Sequence, residues 1–350
     1  MRKKVLITGS SGLVGSEAVL FFDQRGWDVC GVDNNMRRDF FGPDGDTSAN
    51  LESVRRIAKR FSHFDLDIRN RSAMLDLMEK HRPHLILHSA SQPSHDLAKD
   101  RPFDDFEVNA VGTLNVLEGV RRFCPESSFV FMSTNKVYGD APNEIPLSEL
   151  KTRYDYADPK YKDGIDESCR IDMSLHSLFG ASKLAADVMV QEYGRNFGIP
   201  TVCFRCGCLT GSRHAGAEAH GFLAYVVRAI REGRTYRIYG YKGKQVRDNL
   251  HAYDVCTAVL AFSENPKVAA VYNLGGGRGN SVSVIEAIDR FEELMGRKLK
   301  TEYVEEPRRG DHICYVSNLS KFKRDYPSWR VSRSLEDIFT EFVRPASIIA

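Results

Sequence analysis

The fold is decided by the stretch "KKVLITGSSGLVGSEAVLFFDQRG" at residues 3–26. Its first part, residues 3–9, is a short apolar run with β-branched side chains that ends in glycine. Such a run predicts a buried strand of a parallel sheet. The second part predicts a helix that ends at Gly26. The sequence therefore predicts a strand, a glycine-rich turn and a helix in direct succession.

The turn between this strand and helix carries Gly9, Gly12 and Gly15. Glycines at this spacing allow a tight turn, close approach of the backbone to a pyrophosphate, and close packing of the helix on the strand. The N-terminal end of the helix would stabilise the phosphate charge. The turn residues predicted to bind a dinucleotide are Gly9, Ser11, Gly12, Leu13, Val14 and Gly15.

The end of the second predicted strand, "DVCGVD" (28–33), indicates which dinucleotide binds. An acidic side chain at Asp33 would accept hydrogen bonds from the adenosine ribose, which favours NAD over NADP. Arg37 and Arg38 nearby leave room for a 2′-phosphate as the alternative. We expect NAD, with Asn34 beside Asp33 in the site.

Strand and helix continue to alternate through the first half of the chain. Strands are predicted at 63–68, 84–90 and 128–134, and helices at 71–81 and 109–123. This order is typical of parallel βαβ units with right-handed crossovers. The predicted fold is α/β, a doubly wound parallel Rossmann sheet with a smaller C-terminal α/β substrate lobe.

After about residue 200 the alternation is less regular. A strand at 201–207 is followed by helices predicted at 221–232 and 283–296. We expect residues 1–200 to form mainly the NAD-binding domain and residues 201–350 mainly the substrate-binding lobe. Some strands and helices would be exchanged between the two.

Composition and charge narrow the class of protein. The 350 residues carry a net charge of +2, with 42% hydrophobic and 27% charged residues, which is ordinary for a soluble globular chain. The chain has neither a long basic run nor an apolar run of about 20 residues, so we expect neither nucleic acid nor a membrane among its partners. The eight cysteines lack metal-binding spacing, and we expect no metal, reduced thiols and a cytoplasmic location.

Two further strand ends are predicted to contact the dinucleotide. Asp67 and Ile68 follow the third strand and would lie beside the adenine. The segment "HSASQ" (88–92) closes the fourth strand, where small side chains let the backbone pass close to the cofactor. The contacts predicted in this segment are Ser89, Ala90 and Gln92.

These motifs resemble the extended branch of the short-chain dehydrogenase/reductase family. The segments that follow the family's order are the glycine turn, Asp33, Asp67–Ile68, "HSASQ", Asn109, "STNKVYGD" (133–140) and Lys183. Within that branch, "LHSLFGASK" (175–183) and "GKQVRDNLHAYD" (243–254) are most similar to the CDP-tyvelose (CDP-paratose) 2-epimerases. The resemblance implies that tightly held NAD oxidises one carbon of a nucleotide-linked sugar and returns the hydride to its other face. It also implies that Asn109 belongs to the cofactor site.

The resemblance assigns catalytic roles, and the chain departs from the family at one of them. Ser133 or Thr134 would hydrogen-bond the hydroxyl that is oxidised, and Lys183 would bind the nicotinamide ribose. Phe179 stands where the family has the tyrosine that acts as general base. A placed base contributes about 10²–10⁴-fold, so another group would have to move the proton.

Several groups are candidates for this proton transfer. His176 lies three residues before Phe179, and its ordinary pKa suits neutral pH; a surface or capping histidine is the alternative. Cys206 and Cys208 would face the same side of a strand, with buried structural thiols as the alternative. The other polar residues nearby are Asn135, Lys136 and Tyr138.

The second half supplies groups suited to a sugar attached to a nucleoside diphosphate. The segments "GYKGKQVRD" (240–248) and "EEPRRGDH" (305–312) contain cations, and a guanidinium binds a diphosphate well. A solvated charged surface is the alternative reading of each. The residues predicted to bind a CDP- or UDP-linked sugar are Thr134, Asn135, Cys206, Lys244, Arg247, Arg308 and Asp311.

Three functional hypotheses follow. The first is an epimerase, and the second is a noncatalytic protein that binds NAD and a nucleotide sugar, in which Phe179 marks the loss of chemistry. The third is a dehydratase or oxidoreductase on a related sugar, although dehydratases commonly carry Asp–Glu where this chain has Asn135–Lys136. The apolar helices at 109–123 and 177–198 predict a homodimer, with a tetramer as a further possibility for the assembly. Ordinary core packing against the sheet is the alternative reading of their apolar residues.

Overall fold

The computed structural model describes residues 2–216, 221–308 and 310–344. The strands are β1 (Lys4–Thr8), β2 (Asp28–Val32), β3 (Phe61–Phe64), β4 (Leu85–His88), β5 (Ser128–Thr134), β6 (Leu147–Glu149), β7 (Tyr154–Tyr156), β8 (Thr201–Cys206), β9 (Cys208–Thr210), β10 (Thr235–Tyr239), β11 (Val246–His251), β12 (Ala270–Leu274), β13 (Ser281–Ser283), β14 (Lys300–Val304) and β15 (Cys314–Tyr315). The α-helices are α1 (Leu13–Gln24), α2 (Met36–Phe41), α3 (Ser48–Ile57), α4 (Arg71–His81), α5 (His95–Asp100), α6 (Pro102–Phe106), α7 (Gly112–Phe123), α8 (Leu178–Phe197), α9 (Phe222–Glu232), α10 (Ala252–Glu264), α11 (Val284–Met295), α12 (Ser320–Asp325) and α13 (Leu335–Val343).

A seven-stranded parallel sheet forms the centre of the molecule. Its strand order is β12-β8-β5-β4-β1-β2-β3, and every neighbouring pair is parallel. The order reverses between β1 and β4, which is the arrangement of a doubly wound sheet. The predicted α/β fold with a Rossmann sheet is therefore confirmed.

Both faces of this sheet are covered by helices. Phe22 on α1 and Val259 on α10 belong to the apolar core on one face, while Val116 on α7 and Val190 on α8 belong to the core on the other. The side chains of β4 are all buried, as expected for a parallel strand covered on both sides. The sheet is thus a rigid platform whose strand ends can position functional side chains.

The third strand was predicted at residues 63–68, and that prediction is wrong in its bounds. The strand runs over Phe61–Phe64 because its partner β2 ends at Val32, and the ladder closes with a hydrogen bond from Asp33 N–H to the carbonyl of Phe64. The Asp67 side chain then accepts from the N–H of Arg69 at 2.8 Å and turns the chain. Asp67 consequently lies beyond the strand.

The smaller lobe covers the carboxyl ends of the large sheet. It contains the parallel pair β10–β14, and β11 pairs with β9, β13 and β15. Its core is formed by side chains of α9, α11 and α13, including Val226, Phe291 and Phe339. Two strands that follow residue 200, β8 and β12, complete the large sheet instead. The division of the chain into domains at residue 200 stays a prediction.

The segment 141–170 lies across the smaller lobe. Its strands β6 and β7 form an antiparallel pair. Arg153 pairs with Glu286 at 2.5 Å, and Asp155 pairs with Arg278 at 2.6 Å. The segment therefore fastens the smaller lobe to the chain that follows β5. Within the described residues, no helix is long and apolar enough to cross a membrane.

Candidate functional site

A cavity of about 470 Å³ lies at the carboxyl ends of the large sheet, within the range of pockets that bind small molecules. It opens where the strand order reverses between β1 and β4. One end is lined by the glycine turn after β1, and the other by the smaller lobe. Ligands of open α/β sheets bind at such a reversal, so this cavity is the candidate functional site.

The glycine turn leaves no room for side chains. At Gly9, whose φ is +70°, a Cβ atom would lie 2.8 Å from the backbone nitrogen of Ala90. At Gly15 it would lie 2.0 Å from the carbonyl oxygen of Gly9. Gly12 is the N-cap of α1, and no side chain caps that helix. The first-turn N–H groups of Leu13 and its neighbours thus remain available for a pyrophosphate.

Asp33 is held in place at the end of β2. Its carboxylate accepts hydrogen bonds from the backbone N–H groups of Ser11 at 2.9 Å and Asn35 at 2.8 Å. Burial raises the pKa of Asp33 above its ordinary value, and these N–H donors partly offset that rise. The carboxylate lines the cavity, where it can accept hydrogen bonds from a ribose.

The two arginines near Asp33 have partners in the protein. Arg38 pairs with Asp46 at 3.3 Å. Arg37 donates a hydrogen bond to the carbonyl oxygen of Ala215 at 2.7 Å. Neither arrangement needs a 2′-phosphate, and the site therefore fits NAD better than NADP.

Most of the other residues predicted to bind the cofactor also line the cavity. Ser89 donates to the carbonyl of Thr8 at 2.7 Å and so joins the ends of β4 and β1. Ile68 packs on α7, where a Cβ at Gly112 would approach the Ile68 side chain to 2.6 Å. The predicted cofactor residues that line the cavity are Gly9, Gly12, Leu13, Val14, Gly15, Asp33, Asn34, Asp67, Ile68, Ser89, Ala90 and Lys183.

Ser11, Gln92 and Asn109 are not among the lining residues. The Asn109 amide donates to the Gln92 carbonyl and to Asp105 and Ser182, and it accepts from the Gln92 N–H. These hydrogen bonds join the loop after β4 to the helices that precede α7 and to α8. The structure therefore places Gln92 and Asn109 behind the cavity wall, where they position it.

The structure separates Ser133 from Thr134 at the end of β5. The Ser133 hydroxyl donates to the Asp187 carboxylate at 2.6 Å, and Arg205 pairs with the same carboxylate at 2.9 Å. All three of these side chains are buried. The Thr134 hydroxyl lines the cavity and makes only a 3.4 Å contact as donor, to Asn135 Oδ1. Thr134 is therefore the better placed of the two hydroxyls to meet a ligand.

Lys183 lies on α8 and lines the cavity. Its ammonium group donates to the carbonyl of Met132 at 2.8 Å and lies 4.2 Å from the centre of the Phe131 ring. Burial lowers the pKa of Lys183 to about 8. A charged donor on this wall fits the predicted contact with the nicotinamide ribose.

Phe179 lines the cavity from the first turn of α8 and packs against His95. The two ring centres are 4.9 Å apart, with the planes inclined at 63°. His95 lines the same cavity, and its Nδ1 lies 2.8 Å from Ser177 Oγ. Sequence reasoning missed His95. The available signal was its position three residues after the "HSASQ" segment.

The other candidates for proton transfer are less well placed. His176 is not among the lining residues, and its ring nitrogens lie 2.9 Å and 2.8 Å from the carbonyl oxygens of Ser174 and Val137. Cys206 and Cys208 do line the cavity. Burial raises the pKa of both thiols, to about 11 for Cys208. Their thiolates are therefore scarce at neutral pH.

The end of the cavity near the smaller lobe is cationic. Arg247 pairs with Asp311 at 2.5 Å, and Lys136 lies 3.5 Å from the same carboxylate. Burial alone would raise the pKa of Asp311, but Arg247 and Lys136 hold it below its ordinary value. Two cations share one carboxylate, which leaves a net positive charge for a diphosphate.

Arg308 and Lys244 have different places in the structure. Arg308 lines the cavity, with its guanidinium 4.5 Å from the centre of the Tyr239 ring. Lys244 is not a lining residue: it pairs with Glu149 at 2.7 Å and donates to the carbonyl of Leu150. The predicted substrate residues that line the cavity are Thr134, Asn135, Cys206, Arg247, Arg308 and Asp311.

Comparisons with known proteins agree with this geometry. Residues 5–275 match the model of the NAD dependent epimerase/dehydratase family. The chain is 34% identical to the CDP-paratose 2-epimerase of Salmonella typhi, over 91% of this chain and 92% of that protein. It is 27% identical to a dTDP-glucose 4,6-dehydratase of Shigella flexneri, over 95% and 90%. The crystal structure of the UDP-glucose 4-epimerase of Thermus thermophilus with NAD superposes with a TM-score of 0.75 at 26% identity, over 97% of each chain.

Proposed function

The chain belongs to the NAD dependent epimerase/dehydratase family, whose members act on nucleotide sugars with NAD, and we propose that this protein is an epimerase for a CDP-linked sugar. The similarity to a CDP-paratose 2-epimerase supports the choice of CDP and of a reaction at C2. The observation that carries the proposal is the pair Asn135–Lys136 after Thr134. Dehydration needs an additional acid/base pair near the sugar, and the place that commonly holds Asp–Glu has Asn135–Lys136 in this chain.

Some residues of the cavity bind the cofactor, and others bind the substrate. NAD, when bound, would supply the acceptor for a hydride from the sugar carbon and the donor that returns it to the other face. Asp33 holds the adenosine ribose, and the N-terminal end of α1 at Gly12 holds the pyrophosphate. Lys183 binds the nicotinamide ribose. These three contacts are supported by the hydrogen-bond partners and by the lining of the cavity.

The substrate is held from the opposite end. Arg247 and Arg308 bind its diphosphate, and Thr134 hydrogen-bonds the hydroxyl that is oxidised. Asp311 keeps Arg247 in position through their ion pair. Asn135 and Cys206 lie on the wall beside the sugar.

Phe179 gives a second candidate function, a protein that binds NAD and a nucleotide sugar without turnover. A phenyl ring neither gives nor takes a proton, so the tyrosine mechanism is absent. The cationic end at Arg247, Lys136 and Arg308 supports binding of a nucleotide sugar in both candidate functions. Turnover is what separates them.

The test is incubation of purified protein, with its NAD content recorded, with CDP-, UDP- and GDP-linked hexoses and deoxyhexoses, including CDP-paratose. Products are resolved by NMR, and ultraviolet absorbance of the solution after removal of the protein reports any NADH that was released. We expect a new C2 epimer from a CDP-linked sugar with no net NADH. A keto-deoxy product would identify a dehydratase instead. Binding with no turnover would identify the noncatalytic protein.

The assembly and location are further parts of this proposal. Exposed apolar side chains occur on α6 and α8, at Phe103, Phe106, Val188 and Met189, and we assign this surface to a homodimer interface. Sedimentation measures whether the wild type and Met189→Glu are dimers or monomers. A monomeric wild type contradicts the dimer. All eight cysteines are free thiols, which supports a cytoplasmic location.

A further inference from the structure

Phe179 and His95 form one contact at the wall of the cavity. The imidazole packs against the phenyl ring with ring centres 4.9 Å apart. Both rings line the space in which the sugar would lie. A histidine at the start of α5, the helix that follows β4, is therefore in contact with the phenyl ring that replaces the phenol on α8.

His95 is held in one orientation from its Nδ1 side. Nδ1 lies 2.8 Å from Ser177 Oγ, and that oxygen also accepts from the N–H of Gly180 as the N-cap of α8. Because the Ser177 oxygen can accept from a protonated Nδ1, it supports the imidazolium as well as one neutral tautomer. The opposite nitrogen, Nε2, has no hydrogen-bond partner among the residues that the structure describes.

Burial and the neighbouring charges keep the His95 ring neutral. Burial and the ammonium of Lys136 lower the pKa of His95 to about 3, with Arg308 and Arg247 acting in the same direction and Asp311 opposing them. The ring is thus neutral and able to accept a proton. A bound diphosphate would offset the two arginines and so raise the affinity of the ring for that proton.

The other basic groups of the cavity already have partners. The Lys136 ammonium donates to the carbonyl of Gly310 at 2.9 Å and faces Asp311. The Lys183 ammonium donates to Met132. Burial lowers the pKa of each lysine to about 8, so below that pH most of each lysine is charged and cannot act as a base. Neither lysine contacts Phe179 by a ring interaction as His95 does.

We propose that Nε2 of His95 takes the hydroxyl proton from the sugar and returns it, in place of the phenol that Phe179 lacks. This inference rests on the proposed function. In the oxidation the O–H bond breaks and its proton goes to Nε2, while the electron pair of the C–H bond leaves as hydride to the NAD. A ketone and an imidazolium result. In the reduction the ketone regains the hydride on its other face and the proton from Nε2, so the cycle inverts the carbon with no net oxidation or reduction.

The decisive variant is His95→Asn, which keeps an amide within reach of Ser177 but has no basic nitrogen at the Nε2 position. We expect turnover to fall by about 10²–10⁴-fold. The dissociation constant of the nucleotide sugar, measured by calorimetry, should stay within about threefold. His84→Asn is the matched control, because His84 is exposed, lies directly before β4 and does not line the cavity.

A second variant keeps the test informative even if His95→Asn affects folding. His95→Asn with Phe179→Tyr restores a phenol beside Lys183, and we expect it to recover at least tenfold of the lost turnover. Its pH profile should follow the phenol, which can be read by ultraviolet absorbance. In the wild type, ¹⁵N NMR of labelled histidine should show the His95 ring gaining a proton more readily once the nucleotide sugar is bound.

The outcomes separate the two proposals. Wild-type turnover together with full turnover in His95→Asn would overturn the role of His95 and leave the epimerase intact. Loss of turnover in His176→Asn with retention in His95→Asn would give the role to His176 instead. A wild type that binds sugar nucleotides without turnover would remove the epimerase, and the role of His95 with it.

Discussion

At the scale of single residues, the two hydroxyls at the end of β5 illustrate how burial assigns roles. Ser133 and Thr134 are adjacent in sequence and chemically similar. The side chains of a strand alternate in direction, so one of them meets Asp187 inside the protein and the other lines the cavity. Stability and catalysis should therefore respond separately to changes at these two positions.

The first prediction compares Ser133→Ala with Thr134→Val. Ser133→Ala removes a donor from the buried Asp187, and we expect it to lower the free energy of unfolding by about 1–3 kcal/mol with turnover within about threefold. Thr134→Val removes the hydroxyl from the cavity, and we expect turnover to fall by at least about tenfold. Denaturant unfolding measures the change in stability of each variant, and NMR-detected turnover measures the change in its activity. Thr134→Ser, which keeps the hydroxyl, is the control and should retain activity.

The second prediction concerns Lys183 and pH. Its pKa is about 8 in the folded, NAD-free protein against an ordinary value of 10.5. Below pH 8 both folded and unfolded chains carry the charge. Between about pH 8 and 10 the folded chain loses the proton while the unfolded chain keeps it, so this group makes the protein more stable as pH rises, by about 1.4 kcal/mol per pH unit.

We therefore expect Lys183→Met to raise the Tm of the NAD-free protein at pH 7, and the gain to shrink towards pH 9.5. Thermal unfolding at each pH measures the difference between the two chains. A gain in Tm that does not change with pH would contradict the assignment of the lowered pKa to Lys183. Lys183→Met should also weaken NAD binding at pH 7.

At the scale of elements, the segment 141–170 shows what fastens the smaller lobe. Arg153 and Glu286 form a half-buried pair, and Glu286 also closes the N-terminal capping box of α11 with Ser283. We expect Arg153→Met to lower the free energy of unfolding by about 1–3 kcal/mol. Arg170→Met is the matched control, since its partner Glu144 is exposed and such pairs contribute about 0–1 kcal/mol. Equal effects in chemical denaturation would show that the Arg153 pair does not fasten the lobe.

The elements that the sequence predicted well are those with strong local signals. The turn at Gly9 and the helix at 71–81 follow from glycine spacing and periodicity, and both occur as predicted. The third strand was misplaced because its bounds depend on where β2 ends. Lys244 was taken for a substrate residue because its partner Glu149 is distant in sequence.

The site residues also fall into two groups: those that a local sequence motif identifies and those that only a tertiary contact identifies. Asp33 and Lys183 were found because they belong to motifs with fixed spacing. His95 was missed because its significance lies in a contact with Phe179, 84 positions further along the chain. No local pattern around His95 records that contact, which is set by how α5 packs against α8.

At the scale of the whole molecule, segments from distant parts of the chain meet over the cofactor end of the cavity. Asn50 on α3 donates to the carbonyl of Ser11 at 3.1 Å and to that of Arg213 at 2.9 Å. Arg37 bonds the carbonyl of Ala215, and Asp44 pairs with Arg228 on α9 at 2.8 Å. These contacts join the segment after β2 to the smaller lobe across the glycine turn.

We expect NAD to remain bound through purification and to leave faster when this connection is weakened. Asn50→Ala removes two hydrogen bonds, and we expect the rate of NAD release to rise by about tenfold. Release is followed by exchange of bound NAD for radiolabelled NAD. Glu52→Ala, at an exposed position of the same helix, is the control. Unchanged release in Asn50→Ala would contradict a role for the connection in retention.

The connection through Asn50 also bears on the metabolism of the cell. A dehydrogenase that exchanges its cofactor follows the ratio of NAD to NADH in its surroundings. A chain that closes over its NAD carries the oxidant as a prosthetic group. Each hydride that the NAD accepts is then returned to the same sugar molecule. Its rate would then be independent of respiration and starvation, and would depend only on how much sugar nucleotide is present and how many chains acquired NAD while they folded.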